Sequence, residues 1–226
     1  MNIAALIPAY DEAPRLGAVI TGLRPFVERV LVVDDGSRDG TGDVARAAGA
    51  SVLVQPQNGG KGLAIRAGVA RLLAGDTTHV LLLDGDGQHD PQDAPALLAA
   101  AARHPDCLVL GVRPFDRAVM PRSRYYTNVI SSWVISRVFV GQTVTDAQSG
   151  YRVISTDWLR RLRLTARGYE IETEMLIKMA RRGGRIVSVP IAMRYHGAPS
   201  KLRPVRDTTR TCFLAVRYRF FPERWQ

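Results

Sequence analysis

The segment His79-Val80-Leu81-Leu82-Leu83-Asp84-Gly85-Asp86-Gly87-Gln88-His89 ends an apolar run of strand length in two carboxylates one glycine apart. Alternate residues of an extended chain share a face, so Asp84 and Asp86 point the same way if the chain stays extended through Gly85. Two hard oxygen ligands so placed suit Mg²⁺ or Mn²⁺, which take one or two carboxylates and fill the rest of their shell with substrate phosphates. The same residues are also ordinary turn formers after a strand. An EF-hand is excluded: counted from Asp84, its glycine would fall on His89 and its last glutamate on Pro95. A phosphoaspartyl hydrolase would carry such a pair after its first strand, whereas this one follows the fourth.

Other polar clusters offer complementary chemistry. Gln57-Asn58-Gly59-Gly60-Lys61-Gly62 lies between a strand and a helix. Its glycines allow close approach to phosphate, the helix N-terminus adds positive charge, and Lys61 is placed to neutralise a diphosphate oxygen. It is neither a P-loop nor a dinucleotide fingerprint, because the glycine spacing is wrong and Gly62 stands where Ser or Thr is needed. Asp34 and Asp35 close an apolar strand, one fit for a base N–H or a ribose hydroxyl, the other for capping the turn. Thr145-Asp146-Ala147-Gln148-Ser149-Gly150-Tyr151-Arg152 reads as a polar ligand loop in which Arg152 offers a planar fork for phosphate. Glu170, Glu172 and Glu174 cluster at a helix start, where acids also simply favour the helix dipole. Arg194-Tyr195-His196-Gly197-Ala198-Pro199-Ser200-Lys201 reads as a loop able to close over a diphosphate.

These clusters need a scaffold, and the hydrophobic pattern supplies one. Strands are expected at Ile3–Pro8, Val30–Asp34, Ser51–Gln55, Val80–Asp84 and Cys107–Gly111. Helices are expected at Pro14–Leu23, from Asp39 to Ala48, and at Gly60–Ala74 and Ala94–Ala102. Strands alternating with helices argue for a mostly parallel α/β sheet, whose ligands bind outside the carboxyl ends of the strands. The clusters after strands one, two and four fall at those ends. Beyond them, Arg124–Val140 reads as a helix with Trp133, Val134, Val138 and Phe139 to bury. Glu170–Ala180 reads as another helix, and Ile186–Met193 as a strand that Pro190 confines to an edge or a bulge. Asp207–Phe221 can be drawn as a helix with Arg206, Arg210, Arg217 and Arg224 along one basic stripe, suited to an anionic bilayer surface or to packing on the domain.

Charge divides the chain. Residues 1–112 carry 9 basic and 13 acidic side chains, whereas residues 113–226 carry 22 and 8, a net of +14 for the second half. That half is expected to face something anionic. The basic residues are not interleaved with stacking aromatics, so nucleic acid is not the expected partner. There is no 18-residue apolar run and no basic signal-peptide start, and Cys107 and Cys212 read as buried thiols, so a cytoplasmic protein is expected.

In order, Ile7-Pro8-Ala9-Tyr10-Asp11-Glu12, Val32-Val33-Asp34-Asp35-Gly36-Ser37, Asn58-Gly59-Gly60-Lys61-Gly62, Asp84-Gly85-Asp86-Gly87-Gln88-His89 and Gln148-Ser149-Gly150-Tyr151-Arg152 resemble family 2 glycosyltransferases, closest to the dolichyl- or polyprenyl-phosphate mannose or glucose synthases. The resemblance spans roughly residues 2–203. It implies one GT-A type, Rossmann-like α/β domain over residues 1–226: a nucleotide-sugar half (1–112), an acceptor-side half (113–203) and a basic amphipathic end (204–226). It also implies a GDP- or UDP-hexose donor. Pro8, Tyr10, Glu12 and Asp35 would hold base and ribose. Lys61 would lie near the donor, with Asp84, Asp86 and Gln88 around Mg²⁺ or Mn²⁺. Arg113 and Arg124 would sit near sugar and phosphates, and Ser200 and Lys201 would belong to a lid.

Transfer would invert the anomeric carbon. A polyprenyl phosphate acceptor is already anionic near neutrality, as its second pKa of about 6 requires, and Arg124 and Arg152 would bind it. A sugar hydroxyl would instead need a base, with Asp146, Glu170 and Glu172 as candidates. Many relatives carry C-terminal membrane helices and this chain shows none. Contact with a membrane is therefore expected to be peripheral, through an anionic surface or a membrane partner protein.

Overall fold

The computed structural model describes residues 1–115, 122–192 and 218, with Ser123 and Arg124 described by backbone alone. Among the described residues, seven strands form one sheet: β1 (Ile3–Ala9), β2 (Arg29–Asp34), β3 (Ser51–Val54), β4 (His79–Leu82), β5 (Cys107–Val112), β6 (Arg152–Ser155) and β7 (Arg185–Pro190). Their order is β3-β2-β1-β4-β6-β5-β7. All pair in parallel except β6, which runs antiparallel to both β4 and β5. The mostly parallel α/β architecture is therefore as expected.

Pleating explains the two cores. Along β1, Ala4 and Leu6 face one layer, while Ile3, Ala5, Ile7 and Ala9 face the other. The first layer is built by α3 (Lys61–Leu73), α6 (Thr156–Leu162) and α7 (Ile171–Arg181). The second is built by α1 (Ala13–Leu23), α2 (Thr41–Ala47) and α4 (Ala94–Arg103). Central strands covered on both faces must read as unbroken apolar runs, as β1 and β4 do. Leu6, Ile7 and Leu81 are wholly buried, each contributing about 1.5–3 kcal/mol.

Four expectations are corrected. Strand β4 ends at Leu82, and Gly85 and Asp86 lie in a turn, so the carboxylate pair is brought together by a turn and not by the pleat. Strand β6 and helix α6 occupy a stretch read as loop and irregular chain; Ser155 caps α6 by accepting from the Trp158 amide at 3.3 Å. The helix expected at Arg124–Val140 is α5 (Arg122–Val134), which continues as a π-helix over Ile135–Val140. Its Trp133 and Val138, expected to be buried, are 61% and 51% exposed. Strand β7 stops at Pro190, short of the expected Met193, while its place at the sheet edge, where a missing donor is tolerated, is as expected.

The start of α3 is pinned to the segment before α7. A Cβ on Gly62 would lie 2.6 Å from the Ala166 carbonyl oxygen and 2.6 Å from the Arg167 carbonyl carbon. Beside it, the Leu63 amide donates to the Arg167 carbonyl at 3.1 Å. The glycine is needed for this contact between backbones. Gly62→Ala is therefore expected to cost about 1–3 kcal/mol, seen as a Tm lowered by several degrees in a thermal melt. An unchanged Tm would mean that the contact yields without cost.

Candidate active site

Lys61, at the first position of α3, connects three separate parts of the chain. Its Nζ lies 2.5 Å from Asp84 Oδ1, just past β4, and 2.5 Å from Glu172 Oε1, in the first turn of α7. The Tyr169 ring lies 5.6 Å from the same ammonium. Burial disfavours the charge on Lys61, but the two carboxylates outweigh it and raise its pKa. Burial also opposes ionisation of Asp84, yet Lys61, His89 and Arg113 together hold it below its ordinary value. At Glu172 burial wins and the pKa is raised in spite of Lys61. Lys61 is thus the counter-ion of two carboxylates before any phosphate arrives. Gly150 lets Asp84 sit where it does, since a Cβ there would overlap Asp84 Oδ2.

Asp86 accepts from the Gln88 amide at 3.0 Å, which fixes the turn. Burial, followed by the neighbouring charge of Asp84, pushes its pKa up to about 6. Two carboxylates that repel one another in this way are a donor set that a divalent cation would relieve. Among the described residues no group of three or more His, Cys, Asp or Glu side chains could hold a metal. A site of this kind, with two carboxylates and the half-buried Gln88, fits an ion that draws its other ligands from substrate phosphates. His89 is buried against Tyr151 with ring centroids 5.6 Å apart, and burial first, then Arg113, lowers its pKa to about 4.

The second clamp is Arg113, after β5, with Asp146. Nε and Nη2 of Arg113 donate to Oδ2 and Oδ1 at 2.6 and 2.9 Å, and its amide donates to Oδ2 at 3.3 Å. Asp146 is fully buried, so this pairing displaces its expected role as a base. Arg152 is likewise corrected. It is 1% exposed, and its guanidinium donates to the carbonyls of Ser149, Glu172 and Ala147 at 2.8, 2.6 and 3.0 Å. It ties the 147–149 loop to α7 and does not present a fork to phosphate.

The acids of the α7 start divide the work. Glu170 Oε1 accepts from the Arg167 and Gly168 amides, Glu172 pairs with Lys61, and Glu174 accepts from the Thr165 and Ala166 amides and pairs with Lys178. Asp35 accepts from the Gly59 and Gly60 amides at 2.9 and 2.8 Å, shaping the glycine loop, while Asp34 caps the turn through the Ser37 amide. Pro8 lines the small cavity shared by Lys61, Asp84 and Glu172. Tyr10 is half-buried just past β1, and the buried Glu12 receives the Arg15 guanidinium at 3.5 Å.

Sequence reasoning missed the hydroxyls that brace this site from α5. Ser132 Oγ accepts from the Ala147 amide at 3.0 Å; Ser136 Oγ accepts from the Val144 amide at 2.9 Å and donates to its carbonyl at 2.8 Å. Buried Asn128, Ser132 and Ser136 recur every four residues, a polar stripe that signalled a packed face. Arg124 falls on α5 with its side chain outside the described residues. Ser200, Lys201, His196, Cys212 and the arginine stripe from Arg206 also lie outside them; Cys107 is a buried free thiol.

Residues 4–163 match the model of glycosyl transferase family 2. The chain is 37% identical over 204 residues to an undecaprenyl-phosphate mannosyltransferase of Micrococcus luteus, covering 84% of this chain and 83% of that one. It is 36% identical to the glycosyltransferase AglJ of Haloferax volcanii, covering 91% and 68%, and 31% identical to a dolichyl-phosphate hexose transferase of the same organism, covering 90% and 87%. Among solved structures, glucosyl-3-phosphoglycerate synthase from Mycobacterium tuberculosis, in complex with Mn²⁺, UDP and glucosyl-3-phosphoglycerate, superposes with a TM-score of 0.76 at 25% identity, covering 96% of this chain and 79% of that one.

Because the Asp86 proton competes with a cation, binding of Mn²⁺ is expected to weaken as pH falls through about 6, by about tenfold per pH unit below it. Calorimetric titration of the protein with Mn²⁺ between pH 5 and pH 8 checks this. An affinity that stays flat across that range would contradict it.

Proposed function

Because the chain belongs to glycosyl transferase family 2, we propose that it transfers a hexose, with inversion, from a GDP- or UDP-sugar to a polyprenyl phosphate. The observation that carries the choice of acceptor is the closed Arg113–Asp146 pair. A hydroxyl acceptor needs a base, and Asp146 is bound at both oxygens. Glu172 is spent on Lys61, and one oxygen of Glu170 on two amides. A phosphate monoester brings its own negative oxygen and needs no base. The mannosyltransferase of Micrococcus luteus supports the same class.

In this reading Pro8, Tyr10, Glu12 and Asp35 hold base and ribose. Asp84, Asp86 and Gln88 hold Mg²⁺ or Mn²⁺, which when bound supplies charge stabilisation to the departing diphosphate. Asp146 fixes the Arg113 fork, so that its remaining donors meet developing charge without reorganising. Lys61 keeps Asp84 ionised and ready. Arg124 and Lys201 join as acceptor-side and lid cations, and Ser200 as a lid hydroxyl.

A second reading, transfer to a small phosphorylated acceptor through its hydroxyl, is favoured by the likeness to glucosyl-3-phosphoglycerate synthase. One panel separates the two. Radiolabelled GDP-mannose, GDP-glucose, UDP-glucose and UDP-galactose are offered with Mn²⁺ or Mg²⁺ to a polyprenyl phosphate and to 3-phosphoglycerate. Label is expected in the lipid fraction, lost on chelation, and lowered on the order of 10²-fold or more in Asp86→Asn. Transfer only to the water-soluble acceptor would overturn the lipid reading.

A further inference from the structure

Glu174 and Lys178 form a buried ion pair on α7, 2.8 Å apart, that no step of the proposed transfer uses. Tyr218 is buried on this pair: its hydroxyl donates to Glu174 Oε1 at 2.7 Å. Its ring packs on Ile177 and Phe139, and its centroid lies 5.5 Å from the Lys178 ammonium and 6.0 Å from the Arg181 guanidinium. Both oxygens of Glu174 also serve the segment before α7. The Thr165 hydroxyl donates to Oε1 at 2.7 Å, and the Ala166 amide donates to Oε2 at 2.8 Å. Lys178 in turn donates to the Arg163 carbonyl at 2.7 Å. This stretch needs holding, because Arg163 has a φ of 44°, a left-handed conformation that residues with a Cβ rarely adopt.

The segment so held carries the residues on both sides of Lys61. A Cβ on Gly60 would lie 2.8 Å from the Arg167 carbonyl oxygen, and Gly62 touches the Ala166 and Arg167 backbone. The Leu63 amide donates to the Arg167 carbonyl at 3.1 Å, and Arg66 donates to the Thr165 carbonyl at 3.2 Å. Hydrogen bonds and backbone contacts thus run without a gap from Tyr218 through Glu174 and residues 165–167 to the start of α3. We propose that Tyr218 is a positioning residue for the donor site. Its hydroxyl completes the set of donors that fixes Glu174, Glu174 fixes residues 165–167, and these keep Lys61 between Asp84 and Glu172. The functional part of this proposal rests on the donor-site reading above.

The test compares wild type with Tyr218→Phe, which removes one hydroxyl and keeps the ring. A second variant, Thr165→Val, removes the other hydroxyl on the same Glu174 oxygen. Two measurements are made on the full chain: amide hydrogen exchange by NMR, and calorimetric titration with GDP and, separately, UDP in the presence of Mn²⁺. Each variant is expected to exchange faster at Ala166 and also at Leu63, whose amide lies across the backbone contact. Affinity for the nucleotide that wild type binds is expected to fall about two- to thirtyfold. In a Lys61→Met background, Tyr218→Phe is expected to change that affinity less than about twofold, because the group it positions is gone. Faster exchange confined to Ala166, an unchanged affinity, or equal losses with and without Lys61 would each overturn the proposal. Wild type binding neither nucleotide would overturn the donor-site reading alone. Faster exchange at Leu63 in both variants would then still uphold the coupling of Tyr218 to α3, and its absence would overturn it.

Discussion

One ammonium group, Lys61 Nζ, sits between Asp84 and Glu172 and compensates two carboxylates that the fold withdraws from water. A carboxylate taken from water without a partner costs several kcal/mol (of order 3–5 when a buried pair is broken), so the start of α3, the end of β4 and the start of α7 must meet in register. Much of the nearby architecture meets this demand. Asp35 draws the Gly59 and Gly60 amides into place, Gly62 lets α3 touch the Ala166 and Arg167 backbone, and Glu174 anchors the Thr165–Ala166 amides. Tyr218 adds a hydrogen bond to Glu174 at 2.7 Å.

The Arg113–Asp146 clamp is the second fixed charge pair. Asp146 and Glu172 are bound to cations and one oxygen of Glu170 to two amides, its other oxygen having no partner among the described residues, whereas Asp86 is left crowded by Asp84. The proposed transfer, in which charge leaves as diphosphate and arrives on an anionic acceptor, draws on this arrangement. The helix that braces the clamp through Ser132 and Ser136 turns its other face, apolar and basic, outward.

The first half of the chain was legible because its signals are local. Buried parallel strands must be apolar runs, and turn residues must follow them, so β1, β2 and β4 and the clusters after them stand out in the sequence. What was hidden depends on contacts distant in the chain. Strand β6 opens with Arg152, and an arginine at a core position reads as loop until Ser149, Ala147 and Glu172 supply three carbonyls to it. The burial of α5 depends on the same kind of distant contact: Trp133 is by far the larger apolar side chain, yet Ser132 finds the Ala147 amide and packs inward. Lys61 was read as a phosphate ligand because nothing nearby in sequence reveals Glu172.

The central claim is that the ammonium of Lys61 keeps Asp84 ionised and offsets part of the burial penalty on Glu172, whose pKa is already raised. Without it, Asp84 would join Glu172 in titrating above its unfolded value, and stability would be lost as pH rises through the carboxylate range. The direct measurement is the unfolding free energy of Lys61→Met against wild type, by urea titration at intervals from pH 4 to pH 8. The account predicts a small deficit at pH 4 that widens with pH to about 3–5 kcal/mol. A deficit that is absent, or the same at every pH, would contradict it.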